Sequence, residues 1–106
     1  MKQIVILALV LMIACGAAAA AETTPAKDLF GSKCAVCHGP DGAAKTSIGK
    51  TMKIRDLHSP EVQKQSDADL KTLITKGKSK MPAFENKLNA QQIDDLVAYI
   101  RELAKK

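Results

Sequence analysis

The most regular pattern of apolar and polar positions lies near the end of the chain, over residues 90–104. Apolar side chains recur there at intervals of one, three and four, at Ile93, Leu96, Val97, Ile100 and Leu103. This spacing places them on one face of a helix. Asn89 precedes the pattern and is a preferred N-cap residue. The pattern therefore predicts a final amphipathic helix that buries one face.

Shorter helices are predicted earlier in the chain from start and stop signals. Pro25 suits a first helical position, Ser59 and Ser66 are typical N-caps, and Gly77 is a typical helix end. The predicted helices cover Ala26–Lys33, 60–64 and Asp67–Lys76, with a further turn near 48–52. Strand-like alternation is missing from the sequence. We therefore expect an all-α chain of three to five short helices with long loops, which suggest wrapping around a bound group.

The segment 1–21 differs from the rest of the chain. Lys2 gives it a positive start, residues 4–13 are all apolar, and small residues follow. This order is typical of an export signal, whose removal would leave 22–106 as one domain. Two other outcomes stay open. Lipid attachment at Cys15 is one, since the residues around it resemble a bacterial lipoprotein signal, and an uncleaved helical anchor is the other.

The remaining domain is short and poor in large apolar side chains. Its aromatic residues are Phe30, Phe84 and Tyr99. A chain of this size buries too little surface to be stable without a disulfide, a metal, a cofactor or a partner. We therefore expect a bound group to supply a large apolar body.

The whole chain carries a formal net charge of +5, and its lysines are spread out. No arginine-rich run or aromatic stacking pattern accompanies them, which argues against a nucleic-acid partner. Two interpretations of the lysines stay open. They form an ordinary solvated surface, or they steer an acidic protein partner into place.

The stretch from Cys34 to His38 has the pattern Cys-x-x-Cys-His, the attachment motif for c-type haem. Two thiols three positions apart can add to the two vinyl groups of one porphyrin, and the adjacent histidine can bind its iron. A zinc site would need further ligands, and only His58 remains. A thioredoxin-type dithiol would need a βαβ setting, and a disulfide between Cys34 and Cys37 would close too short a loop to stabilise much. Haem attachment is the interpretation that remains.

The second axial position on the iron has four possible outcomes: Met81, Met52, His58 or an open site. Met81 precedes Pro82 in a loop between two predicted helices, and such a loop can fold over the open face of the ring. A thioether favours reduced iron, and His/Met ligation raises the reduction potential. In the alternative interpretation Met81 is apolar filler, Met52 is a core residue and His58 is an exposed loop residue.

Three stretches in this order resemble the small class I c-type cytochromes of bacteria. They are Cys34-Ala35-Val36-Cys37-His38-Gly39, Lys80-Met81-Pro82-Ala83-Phe84 and Leu96-Val97-Ala98-Tyr99-Ile100-Arg101. The resemblance implies a cytochrome c fold wrapped around one covalently attached haem c. It also implies that Cys34 and Cys37 hold the haem, that His38 is the proximal iron ligand and that Met81 is the distal one.

The resemblance further implies that the first and last helices cross, with Phe30 near Leu96 and Tyr99. Ala26 stands where many family members have a glycine at this crossing. Many members also have a loop proline whose carbonyl accepts the N–H of the proximal histidine. No residue of this chain can be given that role from the sequence, although some main-chain carbonyl is expected to fill it.

The implied function is that of a one-electron carrier, and not of an enzyme, since two protein ligands leave no iron position for a substrate. Its partners would be redox proteins with acidic docking surfaces, and we expect a monomer exported to the periplasm. Lipid attachment at Cys15 is the alternative address. Three rival functions stay open: a haem subunit of a larger dehydrogenase or oxidase, a ligand-binding haem protein with an open sixth position, and a haem-free structural domain.

Overall fold

The computed structural model describes residues 24–106, and the predicted export signal and Cys15 lie outside them. Within this range the chain forms helices joined by loops, and its only strand-like pairing is one isolated bridge between Lys78 and Met81. The helices are α1 (Ala26–Lys33), α2 (Ala35–His38), α3 (Ser47–Thr51), α4 (Pro60–Gln63), α5 (Asp67–Lys76) and α6 (Ala90–Leu103). The all-α prediction is therefore confirmed.

The described residues contain six helices, one more than the three to five expected from the sequence. The additional element is α2, which consists of the last four residues of the Cys-x-x-Cys-His motif and is separated from α1 only by Cys34. α2 is too short to show an apolar period in the sequence. It forms through local main-chain hydrogen bonds, since the N–H groups of Cys37 and His38 both donate to the Cys34 carbonyl, at 3.2 and 2.9 Å.

The starts of the two long helices follow the predicted capping residues. The Ser66 hydroxyl accepts a hydrogen bond from the Asp69 N–H at 3.1 Å, which begins α5. At α6 the Asn89 side chain accepts from the Gln92 N–H at 2.8 Å, and the Gln92 side chain accepts from the Asn89 N–H at 2.9 Å. This reciprocal capping box satisfies two donors that a helix start otherwise leaves unpaired.

The core of the domain forms where α1 packs against α6. Phe30, Leu96 and Val97 are the most deeply buried large side chains, with 1%, 1% and 2% of their surface exposed. The rings of Phe30 and Tyr99 lie 5.2 Å apart at 56°, an arrangement that aromatic pairs favour. The predicted packing of Phe30 near Tyr99 is therefore confirmed, and Leu96 belongs to the same buried cluster.

Arg101 ties α6 to the segment that joins α4 and α5. Its guanidinium donates to the main-chain carbonyls of Gln63 and Gln65 at 2.9 and 2.6 Å, and to a carboxylate oxygen of Asp67 at 2.9 Å. The Gln63 side chain in turn donates to the carbonyl of Leu57 at 2.7 Å. One side chain thus fixes the stretch 63–67, which lies 34 to 38 residues before it in sequence, and reaches Leu57 through Gln63.

Candidate cofactor site

A cavity of about 480 Å³ opens between α1, the segment after α3, α5 and the loop that follows α5. Its walls are mainly apolar, and many of the side chains that line it also belong to the hydrophobic core. The apolar lining comprises Phe30, Ile54, Leu57, Val62, Leu70, Leu73, Ile74, Leu96 and Ile100. A void of this size beside a small core matches the expectation that a bound group supplies part of the apolar interior.

The cavity brings together most of the residues predicted as the site. Cys34, His38 and Met81 all line it, and so does Met52. Cys37 lies one position before His38 on α2 and is half-buried, but its side chain is not part of the lining. The predicted residues that are far apart in sequence therefore converge on one space.

His58, the remaining candidate ligand, lies outside the cavity lining. Its ring Nδ1 lies 2.7 Å from a carboxylate oxygen of Asp56, which also accepts the His58 main-chain N–H at 2.8 Å. These contacts hold the imidazole on a surface turn. The interpretation of His58 as a loop histidine agrees with this position.

The imidazole of His38 lies in an environment that favours its neutral form. Burial lowers the pKa of His38, while the main chain of Arg55 acts in the opposite direction. The ring Nδ1 is fully buried and makes no hydrogen bond of ordinary geometry among the described residues. Neutral imidazole is the form that binds a metal, and Arg55 supplies the main-chain group expected to orient the ring.

The two cysteines of the motif are not joined by a disulfide. Burial, and secondarily the neighbouring Cys37, raise the pKa of Cys34 to about 11. A thiol with so high a pKa is protonated at neutral pH and is a poor thiolate nucleophile. A thioredoxin-type dithiol, which depends on a lowered thiol pKa, therefore does not fit this site.

The loop after the motif folds back over α2 and holds it in place. The Ala44 N–H donates to the His38 carbonyl at 2.8 Å, and the Thr46 hydroxyl lies 3.3 Å from the Cys37 carbonyl. The same hydroxyl accepts from the Gly49 N–H at 2.9 Å and so caps α3. The orientation of the Cys-x-x-Cys-His turn is thus set by the segment that follows it.

Met81 and Met52 differ in how they are supported. Met81 packs against the hydrophobic core cluster and lies in a tight turn, in which Lys78 and Met81 exchange main-chain hydrogen bonds of 3.1 and 3.0 Å. Met52 follows the last residue of α3, is half-buried and is not part of that packing. Of the two methionines, Met81 has the more defined position.

Every charged side chain that lines the cavity is basic. These residues are Lys53, Arg55, Lys78 and Lys80. All four are exposed at its rim, and of the four Arg55 alone forms an ion pair within residues 24–106, with Glu61 at 3.8 Å. From the sequence, Lys53 and Arg55 either lie near a haem carboxylate or stay solvated, and the lysines after α5 belong to the spread-out positive charge.

The donor set and the cavity fit a haem that is bound covalently. The site combines a thiol, a neutral imidazole, a thioether and an apolar wall, while basic side chains at the rim suit the two carboxylates of a haem. A protein sets the properties of a haem through its axial ligands, its burial and the hydrogen bonds around it. The described residues supply candidates for the iron ligands and an apolar wall for the burial.

Comparisons with known proteins agree with this site. Residues 21–100 match the family model described as cytochrome c oxidase, cbb3-type, subunit III. Cytochrome c6 of Synechocystis sp. is 33% identical over 84% of this chain and 72% of its own length. Cytochrome c6 of Aphanizomenon flos-aquae is 34% identical over 79% of this chain and 93% of its own.

A solved structure gives the same result for the fold. The protein described as KustC0563 c-type cytochrome is 29% identical, with a TM-score of 0.69 over 76% of this chain and 98% of its own. The fold and the site together define a small class I c-type cytochrome. The chain belongs to the cytochrome c family, in the group that includes the cytochrome c6 proteins and the cbb3-type subunit III model.

The family membership establishes the cofactor and the general activity. The protein is an electron carrier with one covalently bound haem c, and its cytochrome c6 relatives favour a carrier over an oxidase subunit or a ligand-binding haem protein. Among residues 24–106, none of the helices combines the length and apolar character needed to cross a membrane.

Proposed function

We propose that Cys34 and Cys37 hold the haem through two thioether bonds, with His38 and Met81 as the axial iron ligands. In each thioether bond the sulfur joins one carbon of a vinyl group and the thiol proton goes to the other. The convergence of Cys34, His38 and Met81 on one apolar cavity carries this proposal. The bound haem supplies a one-electron couple, Fe(III)/Fe(II).

The residues around the haem keep this chemistry to electron transfer. With both His38 and Met81 bound to the iron, no coordination position would be left for a substrate. The apolar wall excludes water, and fixed ligands keep the geometry similar in both oxidation states. The Met81 thioether favours the reduced state and raises the potential. Electrons therefore pass one at a time to and from protein partners.

The ligand assignment is tested by replacing each of the two cavity methionines in the haem-loaded protein. Met81→Ala should lower the reduction potential by roughly 0.1 V or more and let carbon monoxide bind rapidly to the reduced protein. Met52→Ala is the matched control, because it removes the same side chain from the same cavity, and it should change neither property. An unchanged potential in Met81→Ala, or a change only in Met52→Ala, would rule out Met81.

The basic rim of the cavity indicates the kind of partner. Lys53, Lys78 and Lys80 form no ion pair within residues 24–106, whereas other cations such as Lys71 and Lys76 have acidic partners at 2.9 and 2.7 Å. With Arg55 paired to Glu61, the three rim lysines still outnumber the two carboxylates of a haem, and the positive charge that remains attracts acidic surfaces over a distance of about 10 Å at 0.1 M salt. The partner is therefore a redox protein with an acidic docking surface.

An anionic oxidant, ferricyanide, tests this charge effect without a known partner. Its rate of oxidising the reduced protein should fall with rising salt, and Lys78→Glu with Lys80→Glu should slow it further at low salt. Lys27→Glu makes the same charge change at an exposed position of α1 away from the cavity. Equal slowing in Lys27→Glu would show that only net charge matters.

The location outside the cytoplasm follows from the sequence of segment 1–21 and from covalent haem, which is attached after export. Cleavage after Ala21 would release a monomeric carrier into the periplasm, and lipid attachment at Cys15 would tether the same domain to a membrane. The mass of the mature protein distinguishes the two, because cleavage gives a chain starting at Glu22 and lipidation gives an acylated chain starting at Cys15.

A further inference from the structure

The loop that carries Met81 is attached to the end of α5 on both sides. Before Met81, Gly77 ends the helix, with its N–H bonded to the Leu73 carbonyl at 2.8 Å. After Met81, the chain returns along the same helix end, where the Phe84 N–H donates to the Ile74 carbonyl at 3.0 Å. The thioether is thus presented by a short, closed segment.

Gly77 lies directly against the main chain of the loop that carries Met81. A Cβ at this position would lie 2.6 Å from the Met81 carbonyl oxygen, 2.8 Å from the Ala83 nitrogen and 2.9 Å from the Pro82 carbonyl carbon. All three atoms belong to the main chain, so none can move aside as a flexible side-chain end could. Gly77 also has a φ of 73°, in the left-handed region that favours glycine.

One residue of this segment has a strained backbone. Ser79 occupies the first central position of the turn that Lys78 and Met81 close, and its φ is 56°. Glycine is favoured at left-handed positions in such tight turns, because any Cβ there crowds the backbone. Replacing Ser79 by glycine would therefore relax the turn without adding an atom.

We propose that Gly77 is the positioning residue for Met81: its missing side chain lets the Met81-Pro82-Ala83 main chain lie against the end of α5 and so directs the thioether into the cavity. This inference rests on the proposed ligation of iron by Met81. It assigns the placement of Met81 to the contact with Gly77, rather than to the neighbouring Pro82.

The test uses the haem-loaded protein with Gly77→Ala, Met81→Ala and the matched control Gly31→Ala. Gly31 lies in α1 and has no atom within 4 Å of an added Cβ, so its variant should behave as wild type. Gly77→Ala should keep the haem but bind carbon monoxide at least about tenfold faster in the reduced state. Its reduction potential should shift towards that of Met81→Ala.

The series separates the two ways in which the account can fail. If Met81→Ala itself leaves the potential and carbon monoxide binding unchanged, the proposed ligation is wrong. If Met81→Ala changes both while Gly77→Ala stays within twofold of wild type, only the positioning role is overturned. The positioning role is equally overturned if the seating of the segment 77–83, altered through Ser79→Gly, leaves carbon monoxide binding unchanged.

A further variant distinguishes contact from backbone conformation. Asn tolerates left-handed φ values better than Ala but has the same Cβ. Gly77→Asn should therefore open the iron site as Gly77→Ala does, and recovery of the wild-type potential in Gly77→Asn would overturn the contact argument.

If the Gly77 variants give no folded haem protein, Ser79→Gly decides the matter. Relaxing the turn should favour the seated loop and slow carbon monoxide binding by about fivefold relative to wild type. An unchanged rate in Ser79→Gly would contradict the role of this turn in placing Met81.

Discussion

The two sides of the domain are built differently. Where α1 meets α6, side chains such as Phe30, Leu96 and Val97 are almost wholly buried against each other. On the cavity side, Cys34 and Met81 are only half-buried, and the buried Nδ1 of His38 has no hydrogen-bond partner of ordinary geometry. The helix pair buries these side chains with protein atoms, although Phe30 and Leu96 also border the cavity. The cavity side is completed by the haem, which makes covalent attachment a structural need as well as a functional one.

Removing the covalent haem attachment should have the largest effect on the difference between the two sides of the domain. Without the thioether bonds of Cys34 and Cys37, the cavity side loses its central apolar body, because a bound group stabilises only the folded state. We expect Cys34→Ala with Cys37→Ala to lose on the order of 5 kcal/mol or more, which is most of the stability of a small domain. Hydrogen exchange should show the loss first in residues 39–59 and 77–88, and in α6 last. A double variant with unchanged protection in these loops would contradict the comparison.

A cavity created by mutation between α1 and α6 should have the opposite pattern of effects on stability and on the haem site. Val97 is 2% exposed and does not line the haem cavity, so Val97→Ala should lower the unfolding free energy by about 2 kcal/mol while leaving the reduction potential unchanged. Val36→Ala makes the same change at a side chain that is 58% exposed, and should cost under about 0.5 kcal/mol. Denaturant unfolding and a redox titration of both variants measure the two effects.

Arg101 joins the two sides, and its loss should have an intermediate effect. Arg101→Lys keeps the charge but loses the fork that reaches Gln63, Gln65 and Asp67 together, so we expect a loss of about 1–2 kcal/mol in denaturant unfolding. Lys105→Gln removes a charge from an exposed pair with Glu102 and should change stability by only a few tenths of a kcal/mol. Equal effects in the two variants would show that Arg101 acts only as a surface charge.

The smallest expected effect concerns pH. The His58 main-chain N–H, and then the His58 ring, lower the pKa of Asp56 from 3.8. A lowered folded-state pKa adds stability above the unfolded pKa that is lost as the pH falls through the folded value. Wild type should therefore lose a few tenths of a kcal/mol more than Asp56→Asn between about pH 5 and about pH 3, since Asp56 is largely exposed. Parallel stability curves for the two proteins would contradict this.

The longer helices were largely predictable from the sequence, because their signals are local. The apolar period of α6, the caps at Ser66 and Asn89, and the glycine that ends α5 each depend on residues within one or two turns. The attachment motif is local in the same sense. These elements agree with the structure to within about a residue.

The cavity side could be predicted only in part. The contact of Gly77 with Met81 and the bonds of Arg101 to carbonyls more than 30 residues away depend on how distant segments meet. The Arg55 main chain beside His38 likewise follows from the path of a loop without periodicity. Gly77 carried a signal in the sequence, but as a helix end it gave no indication of what lay against it.

The central claim is that the cavity side is completed by a haem bound to Cys34 and Cys37. Peptide mass mapping of the protein, produced in a host with haem-attachment machinery, tests this most directly. The account predicts that the proteolytic fragment containing Cys34, Cys37 and His38 carries the mass of one haem and has no free thiol. A fragment of unmodified mass, from a folded protein, would contradict it.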